Sequence, residues 1–203
     1  TLANTGAGIV ANAVLGVRGV KYGPNDLIYL GSGNSRSTYL FPTRSEAGFD
    51  TLEKLQAASG VRIGSLSVGH TLYTLGRLFA WFLDLKDPRY VVGYSGPELD
   101  LALMRGEVDA RVINAVALLH RNREWVEKKL VDFAAVLEIP TGVRSPHPAF
   151  RDLHTLESFA KNEQERKILR IQRIFRMVGS PYVLPPGVPK ERVEILRTAF
   201  RNV

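Results

Sequence analysis

Val61-Arg62-Ile63-Gly64-Ser65-Leu66-Ser67-Val68-Gly69-His70-Thr71 opens the stretch, running on to Asn114, that decides how this chain folds. A β-branched and apolar run, Val61 to Ser65, predicts a buried strand. It passes through small residues, Ser67 to Thr71, into an apolar helix from Leu72 to about Leu85. The pattern then repeats. Tyr90-Val91-Val92-Gly93-Tyr94 predicts a second strand, Ser95-Gly96-Pro97-Glu98 opens a second helix, and Met104 to Arg111 closes it. Twice a strand delivers the chain through Ser, Thr and Gly into a helix N-terminus. Unpaired backbone N–H groups and the positive end of the helix dipole then point toward one place, a pattern suited to an anion at the carboxyl ends of parallel strands.

Outward from this stretch the same alternation continues. Thr1 to Asn4 reads as the end of a strand, and Thr5-Gly6-Ala7-Gly8 as a tight turn into a short helix, Ile9 to Leu15. Lys21 to Asp26 is a turn cluster, followed by strands at Leu27–Leu30 and Thr38–Phe41. Phe49 to Ala58 is a helix capped by Asp50 or Thr51 and stopped at Gly60. A single helix is expected over Ala115–Leu130, a strand over Phe133–Leu137, and one long amphipathic helix over Thr155–Val178. Tyr182–Leu184 is a short strand, and Pro189 suits the first position of a last helix that runs to Val203. The expected class is α/β with mostly parallel sheets and flanking helices. Crossovers between two lobes are expected near Pro42–Asp50 and Gly179–Pro181. One lobe is then residues 1–42 with 180–203 and the other residues 43–179.

The 203 residues carry a net charge of +7 and no cysteine, which excludes disulfides, thiolate metal sites and a cysteine nucleophile. The four His are scattered without metal-ligand spacing, no phosphate-binding Walker pattern is present, and no cofactor is expected. Basic residues lie among acids on helical segments such as Lys161 to Arg176, which argues against a nucleic-acid arm. The positive balance can instead steer a small anion. No apolar run is long enough to span a bilayer, since Leu72–Leu85 is interrupted by Arg77 and Asp84. The chain opens on Thr-Leu-Ala-Asn, not Met, so its first residue is expected to lie downstream of the translated start.

Two site readings follow from the residues. In the first, Ser67, Val68, Gly69, His70 and Thr71 cradle a carboxylate through backbone N–H groups of Gly69 to Thr71 and the hydroxyls of Ser67 and Thr71. Ser67 or Thr71 can equally serve as a plain helix cap. His70 can pair with a carboxylate when protonated or donate one hydrogen bond when neutral. Tyr94, Ser95 and Gly96 form the second helix entrance, where Ser95 is the natural cap with Pro97 in the first turn. Arg111 can clamp a carboxylate bidentately, Asn114 follows it, and Asp109 is read as structural. In the second reading, Ser65-Leu66-Ser67-Val68-Gly69 is a nucleophile elbow centred on Ser67. It would serve a serine hydrolase, with Asp100 or Asp109 and then His120, His147 or His154 as partners.

Five motifs in order make the chain resemble a known family. Lys21-Tyr22-Gly23-Pro24-Asn25-Asp26 resembles a Tyr-Asp-Pro turn, with Gly23 in place of Asp. Ser65 to His70 resembles a Ser-Gly-x-Gly-Ser loop, and Gly93-Tyr94-Ser95-Gly96 a Tyr-x-Gly turn. Gly106-Glu107-Val108-Asp109 resembles Gly-Gly-Gln-Val-Asp, and Pro185-Pro186-Gly187-Val188-Pro189 a Pro-x-Gly-x-Pro helix start. These are motifs of the substrate-binding receptors of tripartite tricarboxylate transporters, the Bug-type periplasmic solute receptors. The resemblance implies a class II periplasmic-binding-protein fold of two α/β lobes joined by a hinge and closing on a ligand. It also implies a non-enzymatic monomer, periplasmic after secretion across the inner membrane, that delivers a mono- or dicarboxylate to integral-membrane transporter subunits. Asn4, Thr5, Gly6 and Ala7 match a cleft-facing loop of the other lobe. The resemblance further implies that roughly the first third of a family member, with a Gly-rich binding loop, and some C-terminal residues are not in this chain. Gly23, Ser65 and His70 depart from the pattern and leave room for a different ligand, such as an aromatic acid or an amino acid.

Overall fold

The structure, a computed structural model, describes residues 1–6 and 8–202. In chain order its elements are β1 (Ala3–Asn4), α1 (Gly8–Val14), β2 (Ile28–Ser32), β3 (Ser37–Arg44), α2 (Leu52–Ala57), β4 (Arg62–Gly64), α3 (Thr71–Phe82), β5 (Arg89–Val91) and α4 (Gly96–Met104). They continue as β6 (Ala110–Arg111), β7 (Ile113–Asn114), α5 (Ala115–Arg121), α6 (Arg123–Glu127), β8 (Val131–Ile139), α7 (Pro148–Arg151), α8 (Glu163–Met177), β9 (Pro181–Leu184) and α9 (Lys190–Arg201). Contacts divide the chain into two compact units, residues 1–36 with 168–203 and residues 37–167. The division falls at Arg36/Ser37 and Lys167/Ile168, where the sequence reading placed it at 42/43 and 179/180. It lies earlier at the first boundary because all of β3 belongs to the larger sheet.

The first unit holds a three-stranded sheet in the order β1–β9–β2. β9 pairs antiparallel with both neighbours, at Ala3↔Val183 and Tyr29↔Val183, with a bulge between Tyr29 and Gly31. Helix α9 covers β2, where Phe200 packs within 3.5 Å of the space beside Gly31. Arg197 donates to the Tyr29 carbonyl at 3.3 Å, and the tilted rings of Tyr182 and Phe200 meet at 4.7 Å. Gly179, at φ +66°, sits so close to Ser32 and Asn34 that a Cβ would overlap them, which fixes the entry into β9.

The second unit is built on β3, buried from Ser37 to Thr43. β6 and β7 lie in line on one edge of β3 and β8 on the other, because Tyr39 faces both Asn114 and Leu137. β4 pairs parallel with β6 and with β5. Since β3 runs against β6, β7 and β8, the five strands β4 to β8 share one direction and β3 alone is reversed. The α/β class stands. Parallel ladders between the named strands, expected for most of the sheet area, join only β4 to its two neighbours, with isolated parallel bridges at Ser59↔Lys86 and Val136↔Thr155. The reasons are the reversed β3 in this unit and β9 entering between β1 and β2 in the other.

Helices α3 and α4 take opposite faces of β4. Ile63 points toward α3, where its Cγ2 would lie 3.2 Å from a Cβ on Gly76, and Gly64 points toward Leu99 of α4. Phe41 stacks on Phe79 at 5.3 Å. Around α4, the buried Leu40, Leu99, Leu103, Val108, Ile113 and Phe150 form one cluster. Each contributes about 1.5–3 kcal/mol on burial.

Two long helices of the sequence reading are each interrupted. The helix expected over 115–130 breaks at Asn122 (φ −134°, ψ 38°), whose N–H closes α5 on the Leu118 carbonyl while its own carbonyl accepts from Trp125 and starts α6. The helix expected over 155–178 is a short 3₁₀ turn at Leu156–Phe159 followed by α8 from Glu163. Asn162 caps the start of α8, and the Glu165 side chain reaches back to the residue before it. Asn162 Oδ1 accepts from the Glu165 N–H at 2.9 Å, and the Glu165 carboxylate accepts from the Lys161 N–H at 2.6 Å. No helix among the described residues is long and apolar enough to cross a membrane.

Candidate functional site

The β4–α3 turn is tied down at its base and open at its rim. The Ser65 N–H donates to the Val91 carbonyl and the Gly93 N–H to the Leu66 carbonyl, both at 2.8 Å, so the exits of β4 and β5 are held side by side. Ser67, Val68 and Gly69 are exposed. Gly69 sits at φ +83°, a conformation that costs a side-chain-bearing residue about 1–2 kcal/mol. The His70 N–H donates back to the Ser67 carbonyl at 3.2 Å.

His70 is the residue that caps α3. Its backbone is extended (φ −63°, ψ 146°) and its Nδ1 accepts from the Leu72 N–H at 3.2 Å. The cap was expected from Ser67 or Thr71. The histidine takes it because Thr71 is already the first helical residue and Ser67 lies before the Gly69 bend. An Nδ1 that accepts carries no proton, so the ring presents Nε2–H as its donor. The first turn of α3 contains no acidic residue.

The second entrance is charge-compensated from within. Gly93 turns the chain at φ +113°, Ser95 is the cap of α4, and Pro97 falls at the second helical position. The Glu98 carboxylate reaches back to accept from the Ser95 N–H at 2.8 Å, and this bond holds its carboxyl below the usual carboxylate range. Tyr94 and Gly93 line a shallow groove of about 320 Å³ with Leu101, Glu98, Arg105 and Glu107. Its two acids outnumber its one base, which does not favour an anion.

Arg111 is buried within the larger unit. It is 1% exposed, ion-paired to Asp100, and donates to the Gly96 carbonyl at 3.2 Å and the Val112 carbonyl at 3.4 Å. Arg121 donates to the other oxygen of Asp100 at 3.3 Å. Burial lowers the Arg111 guanidinium to about 10. The carboxylate clamp expected of Arg111 is thus an internal ion pair that fastens the start of α4 to the sheet. Asn114 caps α5, accepting from the Val116 N–H at 2.8 Å and the Ala117 N–H at 3.4 Å. Asp109 accepts from the Arg62 N–H, Nε and Nη2 at 2.9, 2.9 and 2.5 Å.

In the first unit, Asn4 donates to the Ser180 carbonyl at 3.1 Å, and the Thr5 N–H and hydroxyl both reach the Pro181 carbonyl. Gly6 has no positive φ, and a Cβ there would meet nothing within 4 Å, so no local crowding requires glycine. Ala7 lies outside the described residues.

The acids nominated for a hydrolase are committed to arginines, Asp100 to Arg111 and Arg121, and Asp109 to Arg62. The His147 Nδ1 caps α7 through the Ala149 N–H at 3.3 Å, and none of the described hydrogen bonds joins the Ser67 hydroxyl to a histidine side chain. No cluster of three metal-ligating side chains occurs among the described residues.

The residue that sequence reading missed is Ser65. It is 1% exposed, and its Oγ has no hydrogen-bond partner among the described residues. It follows directly on β4, and its N–H is held by the Val91 carbonyl. The period-2 pattern through Val61–Ser65 carried the signal of its burial.

No family model matches the chain, and no curated protein matches it. Solved structures do. A TctC solute binding protein from Polaromonas, with no ligand, superposes with a TM-score of 0.60 at 16% identity, over 99% of this chain and 62% of its own. MatC from Rhodopseudomonas palustris with bound malate gives 0.65 at 18%, over 100% and 64%. The periplasmic binding protein BugD gives 0.61 at 14%, over 96% and 60%. This chain therefore spans between 60% and 64% of the length of these three proteins. At such identities the likeness is one of fold, and the fold is that of the TctC- and Bug-type solute-binding proteins.

Proposed function

We propose that the chain acts as an extracytoplasmic solute receptor that binds a small organic anion, a mono- or dicarboxylate, without chemistry. It resides in the periplasm and hands its ligand to the integral-membrane subunits of a tripartite tricarboxylate-type transporter. The observation that carries this reading is the entrance of α3, with Ser67 to Gly69 exposed and His70 and Thr71 half-buried, at the carboxyl end of β4 with no acid in its first turn. The fold agrees with it, as do neighbours described with malate and with adipate. Gly69 and Thr71 supply backbone donors and His70 its Nε2–H, the His70 N–H being held by the Ser67 carbonyl, while Ser67 and Thr71 supply hydroxyls, and Asn4, Thr5, Gly6 and Ala7 are retained as proposed ligand contacts of the first unit. Arg111 and Asn114 act by holding helix entrances in place, as do Tyr94, Ser95 and Gly96 at α4.

A thermal-shift screen against carboxylates tests the reading. A ligand at 100 times its Kd stabilises by about 2.7 kcal/mol, which moves the midpoint by several degrees. A shift with a carboxylate that is lost in Ser67→Ala supports the receptor reading. Labelling of Ser67 by a fluorophosphonate probe, with no carboxylate shift, overturns it in favour of a hydrolase.

A further inference from the structure

Helix α8 faces the opposite way from an ordinary amphipathic helix. Its apolar residues recur at helical spacing, a pattern that normally turns inward. From Ile168 onward the buried residues are instead Leu169, Arg173 and Arg176, the two arginines 7% exposed each. Left outward are Ile171, Ile174 and Met177, which are 53%, 62% and 45% exposed. Steps of three residues put these on one face, and Arg170, also exposed, stands one turn before Ile174 on that face. Single apolar residues scattered over a surface need no explanation, but a row along about two turns of one helix does.

Charge is distributed as unevenly. The first unit, residues 1–36 with 168–203, has ten Lys and Arg against three Asp and Glu, whereas the larger unit has seventeen of each. The whole net charge of +7 therefore belongs to the unit that carries the apolar row. Between Glu165 and Glu191 the sequence contains no acid, so along the chain the row is flanked by basic residues alone.

These two facts together select the occupant. A second copy of the chain would bring another seven positive charges against the same face, and like charge opposes that pairing. An anionic lipid surface suits both facts. Its headgroup phosphates attract the Lys and Arg excess, and its acyl boundary takes apolar side chains without the matched pockets that a protein partner would need. A basic helix with an exposed apolar row is the pattern that lies in a membrane interface. We propose that the first unit docks on the surface of an anionic bilayer through Ile171, Ile174 and Met177 of α8. The excess of Lys and Arg in the unit holds it there. The docking face shares no residue with the ligand contacts assigned above, so its failure leaves the receptor reading standing.

Sedimentation of the 203-residue chain with vesicles tests this. One set is phosphatidylcholine alone, the other equal parts phosphatidylcholine and phosphatidylglycerol. Binding at least about tenfold tighter to the second set is expected, since each basic side chain near such a surface contributes about fivefold, and raised salt should weaken it. Ile171→Ser/Ile174→Ser, its fold checked by circular dichroism, is expected to lose about fivefold or more on the anionic vesicles. Val116→Ser, at a position 75% exposed in the larger unit, is expected to lose nothing. Because the chain has no cysteine, Ile174→Cys can carry a single environment-sensitive fluorophore. Its emission should move to shorter wavelength on the anionic vesicles, and the same label on Val116→Cys should not move. Equal binding to both sets overturns the part played by charge. Anionic binding that survives the double substitution, or no emission change at Ile174→Cys, overturns the placement on α8. No binding to either set overturns the inference and leaves an acidic protein surface as the partner of this face.

Discussion

Removing the buried guanidinium with Arg111→Met separates a structural role for this residue from a ligand-binding one. Arg111 is almost wholly buried, and its partner Asp100 is buried beside it. After the substitution Asp100 retains only Arg121, which is partly exposed and 3.3 Å away, and the Gly96 carbonyl loses its side-chain donor. Breaking a buried pair from one side costs about 3–5 kcal/mol because a charge is left without its counterion. The surviving Arg121 contact places this case at the lower end, about 3 kcal/mol. With a urea m-value of about 2 kcal/mol/M, the unfolding midpoint falls by about 1.5 M. In Arg111→Met/Asp100→Leu the stranded carboxylate is gone as well, so the double variant is expected to be at least 1 kcal/mol more stable than Arg111→Met alone. The two substitutions are in contact and must couple. Equilibrium urea unfolding followed by circular dichroism measures all three proteins. A loss below 1 kcal/mol in the single variant, or strictly additive losses in the double, would refute the buried-pair account. Unchanged stability with abolished carboxylate binding would restore Arg111 to the ligand.

The other expectations concern the turns and the acid limit. Gly64→Ala drives a Cβ into Leu99 and to 3.1 Å from Val108, so an overpacking loss of about 1–3 kcal/mol is expected by urea unfolding, and a neutral effect would contradict the α4 packing. Gly69→Ala should cost about 1–2 kcal/mol because of its φ of +83°, while Gly6→Ala should leave stability unchanged. Equal losses at both positions would undo the distinction. For Asp109, burial raises the carboxyl, but the bonds from Arg62 outweigh it and the net value lies below the ordinary one. Its stabilising contribution is therefore complete above the unfolded-state value and fades as pH falls through the folded one. The stability gap between the wild type and Asp109→Asn should stay constant from pH 6 down to near the ordinary carboxyl value of 3.8 and shrink below it, and a gap independent of pH through that range would argue against the pair.

The repeated strand–turn–helix unit was legible because its signals are local: apolar runs, Ser and Gly at the joints, and Pro97 in the first turn of α4. The breaks at Asn122 and before α8 were harder to see because apolar periodicity runs across both. Yet Asn162-x-x-Glu165 is a capping pattern in plain view, and α8 starts at it. The reversed β3 left no local trace, since a strand reads alike in either direction, and its partners come from 67 (Thr43 to Ala110) to 102 (Ser37 to Ile139) residues downstream. At the site, the turn itself was placed from sequence. The roles of His70 and Arg111 were not. A histidine cap depends on which ring nitrogen meets the Leu72 N–H, and the Asp100–Arg111 pair joins a helix to a strand across the core. The burial of Ser65 was foreshadowed by the period-2 pattern through Val61–Ser65, but its unpartnered hydroxyl was not.

The central claim, a carboxylate held at the entrance of α3, is tested most directly by titrating the ¹⁵N-labelled chain with hexanoate and following backbone amide shifts. The account predicts the largest, saturable shifts at Gly69, His70 and Thr71. Saturable shifts confined to the groove between Gly93 and Glu107, or none at the α3 entrance, would contradict it.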